Sequence, residues 1–239
     1  SVQAKNYPYI FLGKMIAYTR VELEQAAASG IWNAIEEKSW ARKNEFDLRF
    51  AQFAFLGMGP DLPGLLTLPD VETETDTVIK KRLHLMTDDE FQTCLKTLFP
   101  QSYSTAGFTS RPNTFLMPEM DRMMLAGTFS SVGVGFQQSR SRLEQLEVAF
   151  RGFTGNPDAK VVGSNFCNAE LNGGVDTYLL YRKDPFELKI EMPVPFGIYP
   201  GVSVDGFNFQ NTALAQVSPV VAKFKRQFLM VKNSTPNGD

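Results

Sequence analysis

Between Asn33 and Gly57 the chain reads NAIEEKSWARKNEFDLRFAQFAFLG, with no proline and no glycine before the last position. About six turns of α-helix fit this run. Asn33 is placed to cap it, with Glu36 three residues on. Ala41, Leu48 and Phe55 keep a seven-residue spacing, and Phe46, Phe50 and Phe53 lie beside them. Charges concentrate from Glu36 to Arg49. The second half is apolar nearly all round, which predicts burial on several sides.

Other helices have local start and stop signals. Thr19 and Glu22 form a capping-box pair, and the run RVELEQAAAS after Thr19 stops at Gly30, a natural left-handed C-cap. Thr87 with Glu90 opens MTDDEFQTCLKTLF, and Ser139 or Ser141 opens RLEQLEVAF. NTFLMP reads as a strand that turns into the short helix PEMDRMMLAG. GMGPDLPGLLTLPD is a turn-rich connection, and the acidic VETETDTVI that follows is expected as exposed loop.

Beyond Gly152 the pattern changes. DAKVVGSNF, VDTYLLYR, ELKIEMPVPF and KFKRQFLMVK are strand candidates divided by Gly and Pro. The tail NSTPNGD is expected to be disordered. Helices in the first two thirds and strands in the last third define an α+β chain rather than a βαβ alternation. No internal repeat is present.

Composition excludes several functions. The net charge is −2 across 239 residues, so the basic surplus of a phosphate-gripping protein is missing. No run approaches the roughly 18–20 apolar residues of a membrane span. SVQAKNYPYIF lacks the pattern of a signal peptide. Cys94 and Cys167 belong to no CxxC pair and read as reduced, structural thiols. Twenty Phe, against 2 Trp and 7 Tyr, favour self-association.

Chemical motifs are sparse. SSVGVGFQQS, from Ser130 to Ser139, has neither GxGxxG spacing nor a GK[ST] ending and reads as a structural loop. His84 is the single histidine, so multi-histidine metal sites are excluded and it reads as an exposed or satisfied side chain. Asp88, Asp89 and Glu90 complement a helix N-terminus. In KFKRQF, Lys223, Lys225 and Arg226 alternate with Phe224 and Phe228. That pattern fits base stacking less well than a strand with one charged face. No catalytic, cofactor-binding or metal-binding residue is assigned. Arg182, Lys183 and Asp184, just before Pro185, form a charged knot between strands. Pro185 ends the strand YLLY and sets a turn. Leu188, Ile190 and Met192 are expected on one face of the next strand. An intersubunit or intradomain ion pair is expected at the knot.

Three ordered segments resemble the major capsid proteins of tailed bacteriophages, which have the Hong Kong 97 fold. They are IAYTRVELEQAAASGIWNAIEEKSWARKNEFDLRFAQFAFLG with the PGLLTLPDV loop, RPNTFLMPEMDRMMLAG, and LLYRKDP with LKIEMPVPF. Thr67 stands where the family commonly has Asn after Gly64-Leu65-Leu66. The resemblance implies a long spine helix, a peripheral (P) domain over 1–58 and 176–239, and an axial (A) domain over 59–175. Residues 1–15 then correspond to the return strand of the E-loop hairpin, without an obvious complete N-terminal arm and E-loop.

The resemblance implies a non-enzymatic coat protein that builds hexamers and pentamers of an icosahedral shell around phage double-stranded DNA. Its partners would be copies of itself, with portal, scaffold or decoration proteins. Packaged DNA would be held only non-specifically, with no cofactor and no membrane. Assembly would take place in the host bacterial cytoplasm. The alternatives are an encapsulin-like compartment shell and, less favoured, a hydrolase using acidic residues near Asp88 or Asp184.

Overall fold

A computed structural model describes residues 8–30, 33–129, 140–203 and 205–235, and the side chains of residues 36–235 within them and of 8–30. The expectations for the 130–139 loop, the Ser139 and Asn33 caps, the segment before residue 8 and the tail beyond 235 fall outside the described residues. In chain order the elements are β1 (Ile10–Thr19), α1 (Arg20–Ser29), α2 (Asn33–Leu56), β2 (Glu72–Thr75), α3 (Asp88–Thr105), β3 (Thr114–Pro118), α4 (Glu119–Gly127), α5 (Arg142–Thr154), β4 (Lys160–Ser164), β5 (Asp176–Tyr181), β6 (Leu188–Lys189), β7 (Val194–Ile198), β8 (Val202–Ser203), β9 (Asn208–Val217), β10 (Val221–Ala222) and β11 (Leu229–Asn233).

These elements form two compact units. The first takes the chain up to Leu65 together with Ile190–Val221, and the second takes Leu66–Lys189 together with the chain from Ala222. The sequence reading grouped everything from 176 onward with the N-terminal segment. Residues 176–189 and 222–235 instead lie in the second unit, because β5 and β11 are interior strands of its sheet.

In the first unit, β1 pairs antiparallel with β9 over ten residues, from Ile10–Val217 to Thr19–Asn208. β7 and β8 pair with the other side of β9. With a side-chain period of two, Ile16 and Tyr18 share a face with Ala213, Ala215 and Val217, and all five are buried. In α2, Phe46 and Phe53 are buried, and the Phe46 ring lies 4.4 Å from that of Phe196. Lys14 pairs with Glu45 of α2. Arg42 of α2 is 2% exposed and donates from Nη1 to the Asn211 side chain at 2.7 Å and its carbonyl at 3.1 Å. In the half that reads as apolar all round Phe53 is buried, while Phe50, Ala51, Ala54, Phe55 and Leu56 are only half-buried; in the charged half Trp40 is 70% and Leu48 64% exposed. The helix's remaining apolar residues exceed what one contact face covers.

Gly57 ends α2 with φ of +72°, and the chain doubles back so tightly that an added Cβ there would lie 2.3 Å from the Leu62 carbonyl oxygen. Gly64 meets the same crossing from the other side, where an added Cβ would lie 2.4 Å from the Gly57 nitrogen.

The second unit holds a five-stranded mixed sheet in the order β2-β11-β5-β3-β4. The outer pairs β2/β11 and β3/β4 are parallel, and the inner pairs are antiparallel. Its core joins Phe91, Leu95 and Leu98 of α3 and Leu146 and Phe150 of α5 to Phe115, Tyr178 and Val231 of the sheet. Full burial of each large apolar side chain contributes about 1.5–3 kcal/mol.

Two capping boxes form as expected, at Thr19–Glu22 and Thr87–Glu90, and Ser141 caps α5. α3 runs on past the expected end at Phe99, through Pro100 to Thr105. Leu98 and Phe99 are anchored in the core on one side of the proline, and buried Ser102 donates to the Phe99 carbonyl on the other at 2.7 Å. The acidic segment expected as loop contains β2, paired with β11 by backbone hydrogen bonds that no local pattern announces. KFKRQFLMVK is a strand only from Leu229, and ELKIEMPVPF breaks between Lys189 and Val194. Ile190 and Met192 therefore do not continue a strand with Leu188.

The hydrogen bond from Lys81 and the Thr87 backbone N–H hold the Glu90 carboxylate down at about 2. A carboxylate lowered in the folded state adds stability that is fully present above its unfolded value of about 4.3 and is lost as pH falls through about 2. Urea midpoints measured from pH 6 to pH 2 are expected to fall across this window. The E90Q variant is expected to show a shallower fall, and an unchanged slope would remove Glu90 from the acid response.

Candidate functional site

The 182–187 knot is a locked turn. β5 ends at Tyr181, and Asn113, just before β3, accepts from the Lys183 N–H at 2.6 Å and donates to the Lys183 carbonyl at 3.0 Å. Asp184 Oδ1 accepts from the Phe186 N–H at 2.9 Å, and the Asp184 carbonyl accepts from the N–H groups of Glu187 and Leu188. Arg182 approaches Asp184 at 3.7 Å and Glu187 at 3.9 Å, an ion pair within the second unit. Its Nη1 also donates to Ser110 at 3.4 Å. Lys183 extends outward, with no partner for its ammonium among the described residues. Phe186, beside it, is 80% exposed.

A buried polar knot lies elsewhere in the unit and was not anticipated from sequence. Asp121 of α4 is fully buried. Its carboxylate accepts from the Leu83 N–H at 3.0 Å, the His84 N–H at 3.0 Å and the Tyr178 hydroxyl at 2.6 Å, and lies 2.7 Å from His84 Nδ1. Four partners use the acceptor capacity of one carboxylate. His84, read from sequence as exposed or satisfied, is the satisfied kind. Burial pushes the Tyr178 phenol well up, with Asp121 adding to it. Nearby, Arg142 donates to the Met86 carbonyl at 2.6 Å and to Asp88 at 2.8 Å. Arg82 meets the buried Asp176 at 2.7 Å. The spacings involved, 37 residues from His84 to Asp121 and 57 from Asp121 to Tyr178, leave no local pattern to read.

These groups tie loops to strands rather than poise a reaction. Asp88 and Asp184, the acids of the hydrolase alternative, are both held by arginines. Burial pushes the thiols of Cys94 and Cys167 up to about 12, so both stay protonated near neutrality. Among the described residues no group of three or more His, Cys, Asp or Glu side chains could hold a metal ion. The aromatic–basic run also loses its base-stacking reading: Phe228 is buried against Tyr181 with ring centroids 5.8 Å apart, and Lys225 pairs with Asp70 at 2.7 Å.

The surface instead carries large apolar side chains. Met120, Met123 and Met124 project from α4, followed by Phe129 at 59% exposure, and Val148 of α5 is 52% exposed. In the first unit Phe11, Met15, Trp40 and Leu48 are exposed as well. A long helix lying on an antiparallel sheet and a second unit around a five-stranded mixed sheet give a mixed α+β fold that matches Hong Kong 97-type capsid structures.

The particular likeness is to the capsid of Myoviridae phage XM1, with a TM-score of 0.75 and 14% identity over 95% of this chain and 74% of that one. The satellite phage P4 procapsid, solved with its size determination protein, matches with a TM-score of 0.52 and 10% identity over 96% of this chain and 77% of that one. The holo-SrpI encapsulin complex from Synechococcus elongatus matches with a TM-score of 0.53 and 10% identity, covering 97% and 76%. No protein-family model and no curated protein sequence matches the chain. At these identities the likeness establishes the fold, as expected from the three sequence segments.

Proposed function

We propose that this chain is a major capsid protein of a tailed phage, a non-enzymatic subunit whose copies assemble into hexamers and pentamers of an icosahedral shell around double-stranded DNA. The observation that carries the reading is the likeness to the phage XM1 capsid over nearly the whole chain. The exposed apolar residues of both units support it, since a shell subunit must be covered by its neighbours. In this reading α2 is the spine helix, the first unit is the peripheral domain and the second the axial domain. β1 continues from the return strand of an E-loop. Portal, scaffold and decoration proteins are the further partners, packaged DNA is held non-specifically, and assembly takes place in the host bacterial cytoplasm. Arg182, Lys183 and Asp184 lie at a contact between subunits.

A compartment shell is the second reading, favoured by the encapsulin match but at a lower TM-score, 0.53 against 0.75. Electron microscopy of the purified chain, expressed with and without the scaffold and protease genes of its own locus, is expected to show rings or closed shells. Strictly monomeric protein under all these conditions would overturn both shell readings. Nuclease-protected DNA inside particles made in the presence of portal and terminase supports the phage, and a packaged enzyme supports the compartment.

A further inference from the structure

Two loops of the second unit lie side by side. One is the 182–187 turn after β5, and the other runs from Lys223 to Phe228 before β11. The Lys223 N–H donates to the Glu187 carbonyl at 2.9 Å and joins them. Each loop presents an aromatic ring to solvent, Phe186 on the first and Phe224 on the second. Their charges are unbalanced. RKDPFE and KFKRQF hold five cations and two carboxylates. Both carboxylates, Asp184 and Glu187, face Arg182, and Lys225 is taken by Asp70. Lys183, Lys223 and Arg226 have no carboxylate partner among the described residues. Two exposed rings therefore stand beside uncompensated cations.

The first unit carries the complementary surface. α2 buries Arg42, Phe46 and Phe53. At about 3.6 residues per turn, Glu37, Trp40, Asn44 and Leu48 fall together on the opposite face. All four are exposed, and Glu36 flanks them. Neither Glu36 nor Glu37 has a cation partner among the described residues. The stripe thus presents carboxylates at one end, then an indole, then a leucine. Two such stripes laid on each other would leave the carboxylates of both unmatched. The basic loops supply the missing charge and rings for the indole to pack on.

Resting on the shell reading above, we propose that the Trp40 face of α2 in one copy seats on the Phe186 and Phe224 loops of the next. Trp40 packs against Phe186, and Glu36 and Glu37 meet Lys183 and Lys223. The two surfaces differ, so the contact is heterologous and closes into a ring when the rotation allows. Hydrogen bonds from Asn113 to Lys183 and from the Phe186 N–H to Asp184 hold the turn in shape before docking, so little order is lost on contact. An indole surrounded by other rings is the kind of anchor that carries most of an interface's affinity. Lys183 is then the member of the charged knot that reaches the neighbour, while Arg182 and Asp184 support the turn from within.

The test uses the full chain under the conditions in which the wild type assembles, with sedimentation and electron microscopy as readouts and circular dichroism melts as the folding control. Every altered side chain is exposed. K183E/K223E, E36K/E37K and W40S are each expected to lower the assembled fraction about tenfold with unchanged melting. The fourfold reversal K183E/K223E/E36K/E37K is expected to recover most of it. Mixed W40C and F186C chains are expected to form a disulfide between copies on mild oxidation. Wild-type assembly by W40S or by either double reversal overturns this contact while leaving the shell reading in place, as does a W40C chain that links to itself in preference to F186C. Loss in both reversals without recovery in the fourfold variant overturns the pairing of these charges. A reversal that melts early is replaced by K183Q/K223Q or E36Q/E37Q, judged by the same outcomes. A wild-type chain that never assembles overturns the shell reading and this contact with it.

Discussion

Replacing Asp121 by Ala is expected to destabilise the second unit by about 3–5 kcal/mol, as an order of magnitude for opening a fully buried, hydrogen-bonded charge. The carboxylate is shared by the Leu83 and His84 N–H groups, the His84 ring and the Tyr178 hydroxyl. Alanine leaves the Leu83 N–H and the Tyr178 hydroxyl in a dry interior without an acceptor, and each such group costs about 1–3 kcal/mol. D121N keeps the shape but turns one acceptor into a donor facing donors, so it is expected to recover only part of the loss. Chemical denaturation midpoints of wild type, D121A and D121N give the comparison. A D121A loss under about 1 kcal/mol would mean that the knot tolerates water or a new partner. Y178F removes one donor while leaving the carboxylate its other three, and is expected to cost less than D121A.

Gly57→Ala is expected to be of similar size, for a different reason. A left-handed backbone costs an Ala about 1–2 kcal/mol by itself. At Gly57 the added Cβ would also sit 2.3 Å from the Leu62 oxygen and 2.5 Å from the Gly64 nitrogen, both backbone atoms. Neither can swing aside, so the crossing at the end of α2 has to open, and a total loss of about 3 kcal/mol or more is expected. Gly30 supplies the control. It has a similar φ of +68° with nothing within 4 Å of an added Cβ, so G30A is expected to cost only the backbone strain, about 1 kcal/mol. Thermal or urea denaturation of the two variants separates strain from collision. Equal losses would show that the crossing relaxes freely.

Legibility in the sequence followed the range of each interaction. The Thr19–Glu22 and Thr87–Glu90 boxes span three residues and were readable, as was the turn at Arg182–Pro185, whose ion pairs reach only to Asp184 and Glu187. β2 was read as loop because Glu72–Thr75 is polar on both faces, and its strand character comes from β11, more than 150 residues away. β9 escaped the strand candidates because NFQNTALAQV mixes Asn and Gln with small apolar residues. Its alternation becomes plain only beside β1 and α2, where Ala213, Ala215 and Val217 are buried. The Asp121 knot was hidden for the same reason: in PEMDRMML the residue looks like ordinary helix N-terminal acid.

The register of β1 against β9 also sets a timetable. Thr19 waits for Asn208 and Ile10 for Val217, so β1 finds its partner roughly 200 residues later. At about 5–20 residues per second that is an interval of about 10–40 s on the ribosome. The second unit waits as well, because β11 must arrive before β2 and β5 have their common neighbour. Neither unit can close early, and the high sequence separation makes closure slow by nature. Nascent chains on one messenger are thus kept from presenting a finished surface to each other until β9 and β11 have been made.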